Sequence, residues 1–189
     1  MGKLPPGLTY KKLGIIAAVV IAALVISRIA SESLAVQEVV ETYGYFGVLI
    51  TAVISSINPI IPIPAVAFVP VFLASGLGFW PVALTIAFGV TLGDTIGYFI
   101  GRAGFAVLSD HMAEYMDKIK EWRKKHPRMP LVILFIYTLI APTPNELIVI
   151  PLALAGYRLA HILPILLVGN FIFNTVLASG LVTFFDKFL

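Results

Sequence analysis

The chain has 189 residues, of which 59% are apolar and only 12% charged, and its mean hydropathy is +0.99. A soluble domain is about 25% charged and, at this size, still exposes about a third of its unfolded surface. A soluble enzyme, a disordered tail and a disulfide scaffold are therefore excluded. Cysteine is absent, which removes thiol catalysis, thiolate-bound zinc and redox switching. The expected class is an all-α polytopic membrane protein.

In chain order, residues 1–43 read as an N-terminal anchor and a short connector, and residues 44–189 as the remaining domain. Lys3, Lys11 and Lys12 precede an apolar run, Leu13–Ala30, whose length and poor cleavage site predict an uncleaved anchor. The stretch 44–75 is interrupted by NPIIPIP, Asn58 to Pro64. Residues 81–101 follow as a full span. An amphipathic helix at 103–128 places Met112, Met116, Ile119 and Trp122 on one face and charges on the other. The stretch 129–157 is broken by APTPNE, Ala141 to Glu146, and a last span covers 159–180.

A crossing helix needs about 20 residues, and the arms flanking each break are shorter. Pro62, Pro64, Pro142 and Pro144 remove backbone donors and end the helices there. Non-helical backbone at membrane depth survives only against protein or a wet cavity. Both stretches are thus predicted as re-entrant hairpins, which leaves three full spans. With the N-terminus in the cytoplasm, eleven of the thirteen basic residues then fall inside, including Arg102, the cluster Lys118–Arg128 and Arg158. A single crossing by 44–75 would put that cluster outside.

A shift of 80 residues superposes Ile60, Pro62, Pro64, Val69, Gly76, Gly89 and Thr95 on Ile140, Pro142, Pro144, Val149, Gly156, Gly169 and Thr175, with Asp94 on Asn174. Combined with the charge placement, this predicts an inverted repeat whose hairpins enter from opposite faces, the arrangement by which transporters set a site at the midplane. Convergent Pro and Gly punctuation of two hairpins is the plain alternative.

Asp94 lies within a span, where a carboxylate is costly and by default functional. A purely structural role would pair it with Tyr98, Asn170 or Asn174. Gly89, Gly93, Gly97 and Gly101 recur every fourth residue and predict a smooth face for close helix packing. Asn145 reads as an N-cap that sets Glu146 in the first turn of a half-helix, where the dipole favours an anion. The alternative for Glu146 is a proton- or cation-responsive group at the tip. Two opposed half-helix ends, with Asn58 and Asn145 as polar partners, suit a phosphodiester or zwitterionic head in transit. Neither tip carries Lys or Arg. His126 and His161 lack acidic or nucleophilic partners nearby in the chain, so no catalytic residue, metal site or cofactor is expected.

At these residues the chain resembles the DedA/VTT-domain membrane proteins, also called the SNARE-associated Golgi protein domain, over about residues 45–180. The resemblance is carried by NPIIPIP, by GVTLGDTIGYFIGR with Gly93, Asp94, Tyr98, Gly101 and Arg102, by APTPNELIVIPLALAG, and by Asn170 and Asn174 in the last span. It implies translocation of phospholipid or polyprenyl phosphate between leaflets, with proton coupling in bacterial members. Many of those members carry acids in the first hairpin and two Arg around the second. Here Ser55, Ser56 and Asn58 occupy the first, and Leu139 and Asn145 fall near the Arg positions.

The expected function is lipid translocation through a groove between the hairpin tips, in a multi-pass protein of the cell membrane that is not an enzyme. The expected partners are membrane lipids, with protons or cations as coupling ions; a homo-oligomer is admitted and nucleic acid is not. Two alternatives stand beside it, a proton- or cation-coupled exporter of small solutes and a non-transport assembly factor.

Overall fold

A computed structural model describes residues 25, 33–57, 64–103, 121, 123–141 and 144–188. Among these every regular element is helical: α1 (Leu34–Ile57), a 3-10 turn (Ala65–Phe68) running into α2 (Val69–Ala74), α3 (Phe79–Ala103), α4 (Met129–Ile140), α5 (Glu146–Leu154) and α6 (Leu159–Phe188). The expected anchor Leu13–Ala30, most of the amphipathic segment, and Asn58, Pro62 and Pro142 lie outside the described residues.

Gln37–Ile57, Phe79–Ala103 and Leu159–Thr183 are long and apolar enough to cross a membrane. The last two cover the spans expected at 81–101 and 159–180. The first is a difference, because α1 begins at Leu34, inside what reads as a connector. Gly44 breaks it, with φ 52° and ψ −137°, a backbone region that only glycine enters without strain. The arm beyond the break, 45–57, has the short length expected of a hairpin arm. The helix starts also follow local rules. Proline sits in the first turn of α2 and of α4, where its missing N–H costs nothing.

Each broken stretch is tied across its two ends. The Gly78 N–H donates to the Tyr45 hydroxyl (3.3 Å), which links the second arm of α1 to the turn before α3. In the second, the Tyr157 hydroxyl donates to the Pro127 carbonyl (3.0 Å). The returning helices finish in the same way. Gly76 and Gly156 both take φ 83°, and the next N–H in each case reaches back to the residue five before it, Leu77 to Phe72 and Tyr157 to Leu152. This is the Schellman closure that glycine permits after a helix.

Two apolar cores result. One gathers Val48, Val69, Phe72, Val82 and Ile86 with Ala178 of α6. The other gathers Val149, Leu152, Ile162 and Leu166 with Leu134 of α4 and Tyr98 of α3. The start of α3 thus meets the end of α6 and the reverse, so the two long helices are antiparallel. Positions 69, 72, 82 and 86 return 80 residues on as 149, 152, 162 and 166. The pair 98 and 178 appears crosswise, each in the core of the other half.

Candidate functional site

The glycine face of α3 seats both α1 and α5. A side chain on Gly89 would strike Ala52 of α1 at 2.6 Å, and one on Gly93 would strike Ser56. One on Gly97 would meet the Glu146 side chain at 2.8 Å, and one on Gly101 the Ile150 backbone of α5 at 3.1 Å. The expected packing role of this face is present, and it is divided. Its first half seats the end of α1 and its second half the start of α5. Between Gly93 and Gly97 lies one helical turn, about 6 Å. Ser56, one residue before the end of α1, and Glu146, the first residue of α5, therefore come together over the middle of α3. Ser56 is fastened there by its hydroxyl, which donates to the Val90 carbonyl across the interface (3.1 Å).

At the same level a polar node joins three helices. Asp94 is 1% exposed, and its Oδ2 accepts from the Asn145 amide (2.9 Å) and from the Asn170 amide (2.8 Å). The second Asn145 N–H goes to Asn170 Oδ1 (2.9 Å), and the second Asn170 N–H to Thr91 Oγ1 (3.1 Å). Both amides spend both of their hydrogens inside the node. Such pairing offsets the cost of burying these groups in apolar surroundings. The Glu146 side chain lies over Gly97, about one turn along α3 from Asp94. The site is thus acid-bearing, amide-lined, and placed between the two apolar cores.

Several expectations change. Asn145 does not cap α5 with its side chain: its backbone is already helical (φ −64°, ψ −21°) rather than extended, and its two N–H bonds turn the amide toward Asp94 and Asn170. Asn174 donates instead to the Asn170 carbonyl one turn before it (2.7 Å). Tyr98 is not a partner of Asp94. Its hydroxyl donates to the Tyr157 carbonyl (2.8 Å) at the end of the second hairpin and receives an N–H from Arg102 at 3.4 Å. Pro144 ends the second break, and its carbonyl accepts from the Tyr137 hydroxyl (3.2 Å). Pro64 ends the first break in extended backbone, φ −68° and ψ 136°.

The string Gly93, Asp94, Tyr98, Gly101 and Arg102 thereby acquires a physical meaning. Its glycines admit α1 and α5, its acid ties the node, and its Tyr–Arg pair fastens α3 to the turn between α5 and α6. Thr91, Tyr157 and Thr138 also sit at helix joints, and small hydroxyls and a lone Tyr carry no periodic signal that would mark them in the sequence, whereas Ser56 is visible as a polar residue of the first break. Thr138 of α4 presses on Gly169 of α6 as closely as Ser56 presses on Gly93. Among the described residues no group of three His, Cys, Asp or Glu could hold a metal ion.

A family model described as the VTT domain matches residues 61–182. No curated protein and no solved structure gives a match. The matched region takes in the second core, the glycine face, every residue of the polar node, and the first core apart from Val48 and Ala52 of α1.

Proposed function

The chain belongs to the VTT-domain family, and from that premise we propose that it moves lipids between membrane leaflets where its two hairpin tips meet. In this reading α3 and α6 cross the bilayer beside the anchor Leu13–Ala30, and the N-terminus is cytoplasmic. The hairpins 44–75 and 129–157 dip in from opposite faces as an inverted repeat.

One observation carries the reading. Ser56 and Glu146 lie a turn apart over the middle of α3, beside a buried acid held by two amides from other helices. A lipid head crossing hydrocarbon needs polar partners at mid-depth, and broken helices with buried polar side chains supply them. At rest the Asn145 and Asn170 amides are committed to Asp94. A phosphate arriving there accepts these N–H groups in place of the carboxylate, then returns them as it leaves. Exchange of this kind holds the head group briefly rather than trapping it. The protein acts as a transporter without covalent chemistry.

The test is purified protein in liposomes carrying fluorescent phospholipid, with an impermeant quencher added outside. Loss of the inner-leaflet signal at a rate well above that of empty vesicles is expected, and equality with empty vesicles refutes the proposal.

A second reading follows from the proximity of Asp94 and Glu146. Two carboxylates at one depth can carry protons or cations, as in a coupled exporter of small solutes. The two readings separate in the double variant Asp94→Asn, Glu146→Gln. Coupled export loses its dependence on a proton gradient there, whereas lipid exchange across ungraded vesicles continues at an altered rate.

A further inference from the structure

Away from the node, a groove of about 870 Å³ opens between the first halves of α4 and α6. Its rim carries Arg123, Arg128, Arg158 and His161, and its lining includes no acid among the described residues. The inner wall is apolar, built from Leu131, Val132, Phe135 and Ile165. Tyr157 forms part of the floor. Its ring lies under the Arg123 guanidinium, 4.6 Å from the centroid, and burial pushes its phenol up from the ordinary value while Arg123 opposes the shift.

The basic residues divide into two kinds. Arg123 donates to the Ala155 carbonyl at the end of α5 (2.6 Å), where a cation suits the negative end of the helix. Arg128 and Arg158 are exposed, and both line the groove. Arg123 therefore builds the pocket, while Arg128 and Arg158 offer their guanidinium forks to whatever enters.

The apolar wall has a direction. Just before and along α6 the lining residues 158, 161 and 165 recur at helical spacing, and 172 and 176 continue that stripe along the same face. Ile172 and Val176 line a second groove of about 460 Å³, with Leu139 of α4 and with Phe173, Leu177 and Leu181 of α6. Between the two grooves Thr138 and Gly169 are in contact. The α4–α6 seam is thus a basic mouth, an apolar channel, a constriction and a second apolar channel. A free anion has no use for the walls, and a neutral lipid has none for the mouth.

We propose that this groove binds the phosphate head group of an anionic lipid through Arg128 and Arg158, with the lipid's chains laid along the α4–α6 seam. Planar guanidinium groups take phosphate oxygens in pairs, and the apolar wall contributes burial of the chain. As a binding site it stands by itself. As the mouth of a lipid pathway it rests on the translocation reading.

The experiment measures binding of a fluorescent short-chain phosphatidic acid to the purified full chain in neutral detergent, with inorganic phosphate and short-chain phosphatidylcholine as competitors. Replacing Arg128 and Arg158 together by Gln should raise the Kd for phosphatidic acid about 30-fold, a loss of ~2 kcal/mol at 1.4 kcal/mol per decade and in line with two basic residues facing anionic lipid. The single variants should each give about 5-fold, and they keep the test decisive if the pair fails to fold. Leu131→Asn should weaken lipid without changing the affinity for phosphate. Unchanged affinity in R128Q and R158Q overturns the proposal. So does inorganic phosphate that competes as well as the lipid, which would mark a plain anion site. Failure of the unmodified chain to bind phosphatidic acid, with scrambling intact, counts against this groove alone, and binding without scrambling counts against the translocation reading alone.

Discussion

Asn170 is the residue on which the polar node turns, and its truncation gives the sharpest test of the packing described above. Asn170→Ala removes three hydrogen bonds, to Asp94, to Thr91 and from Asn145. Side-chain hydrogen bonds between membrane helices average ~0.6 kcal/mol, which sets a lower estimate of roughly 2 kcal/mol. If the bond to Asp94 has the ~3 kcal/mol of a charged acceptor and the others ~1 kcal/mol each, the loss reaches about 5 kcal/mol. Either figure is large for one side chain, because marginal stability rests on small differences. Reversible unfolding in mixed detergent micelles reads the change directly. Asn145→Ala should be non-additive with it, with a coupling of ~0.5–1.5 kcal/mol, since the two amides share both a bond and an acceptor. A loss below ~0.5 kcal/mol, or strict additivity of the pair, would show that the node does not join α3, α5 and α6 as described.

Other outcomes follow from the same contacts. Gly89→Ala forces a methyl onto Ala52 and should destabilise by about 1–3 kcal/mol, whereas Gly180→Ala meets nothing within 4 Å and should be neutral or stabilising by up to ~1 kcal/mol; thermal unfolding of the two variants side by side decides it. Gly44→Ala has open space but a left-handed backbone, so it should cost roughly 1–2 kcal/mol and straighten α1, visible as a longer spin-label distance between the ends of that helix. Tyr98→Phe deletes the bond to the Tyr157 carbonyl and should cost about 0.5–1.5 kcal/mol while loosening the base of the second hairpin, read as faster hydrogen exchange at residues 154–158. Asp94→Asn keeps an acceptor for Asn145 and Asn170, so the fold should survive, and any change in lipid exchange then reports the charge alone.

Much of this architecture was legible in local rules. Hydropathy marked α3 and α6, proline marked both breaks, and Gly76 and Gly156 marked the ends of the returning arms, because each depends on a few neighbouring residues. The four-residue glycine spacing likewise announced a close-packing face. What it could not announce is that two different helices, α1 and α5, share that face, since periodicity describes one helix and is silent about its neighbours. Asn145 shows the limit most clearly. Locally it is a fair N-cap, yet its amide lies within reach of a buried carboxylate and a second amide, which bind it more strongly than a helix end.

The sequence by itself therefore determined a helical membrane chain with two broken stretches, a glycine-faced span and an acid within it. Only the tertiary structure decided which residues meet: Ser56 and Glu146 over Gly93 and Gly97, Asp94 with Asn145 and Asn170, and Arg128 and Arg158 beside an apolar seam. Backbone conformation is governed by interactions a few residues long, whereas partners 51 or 76 positions apart are set by the register in which whole helices pack.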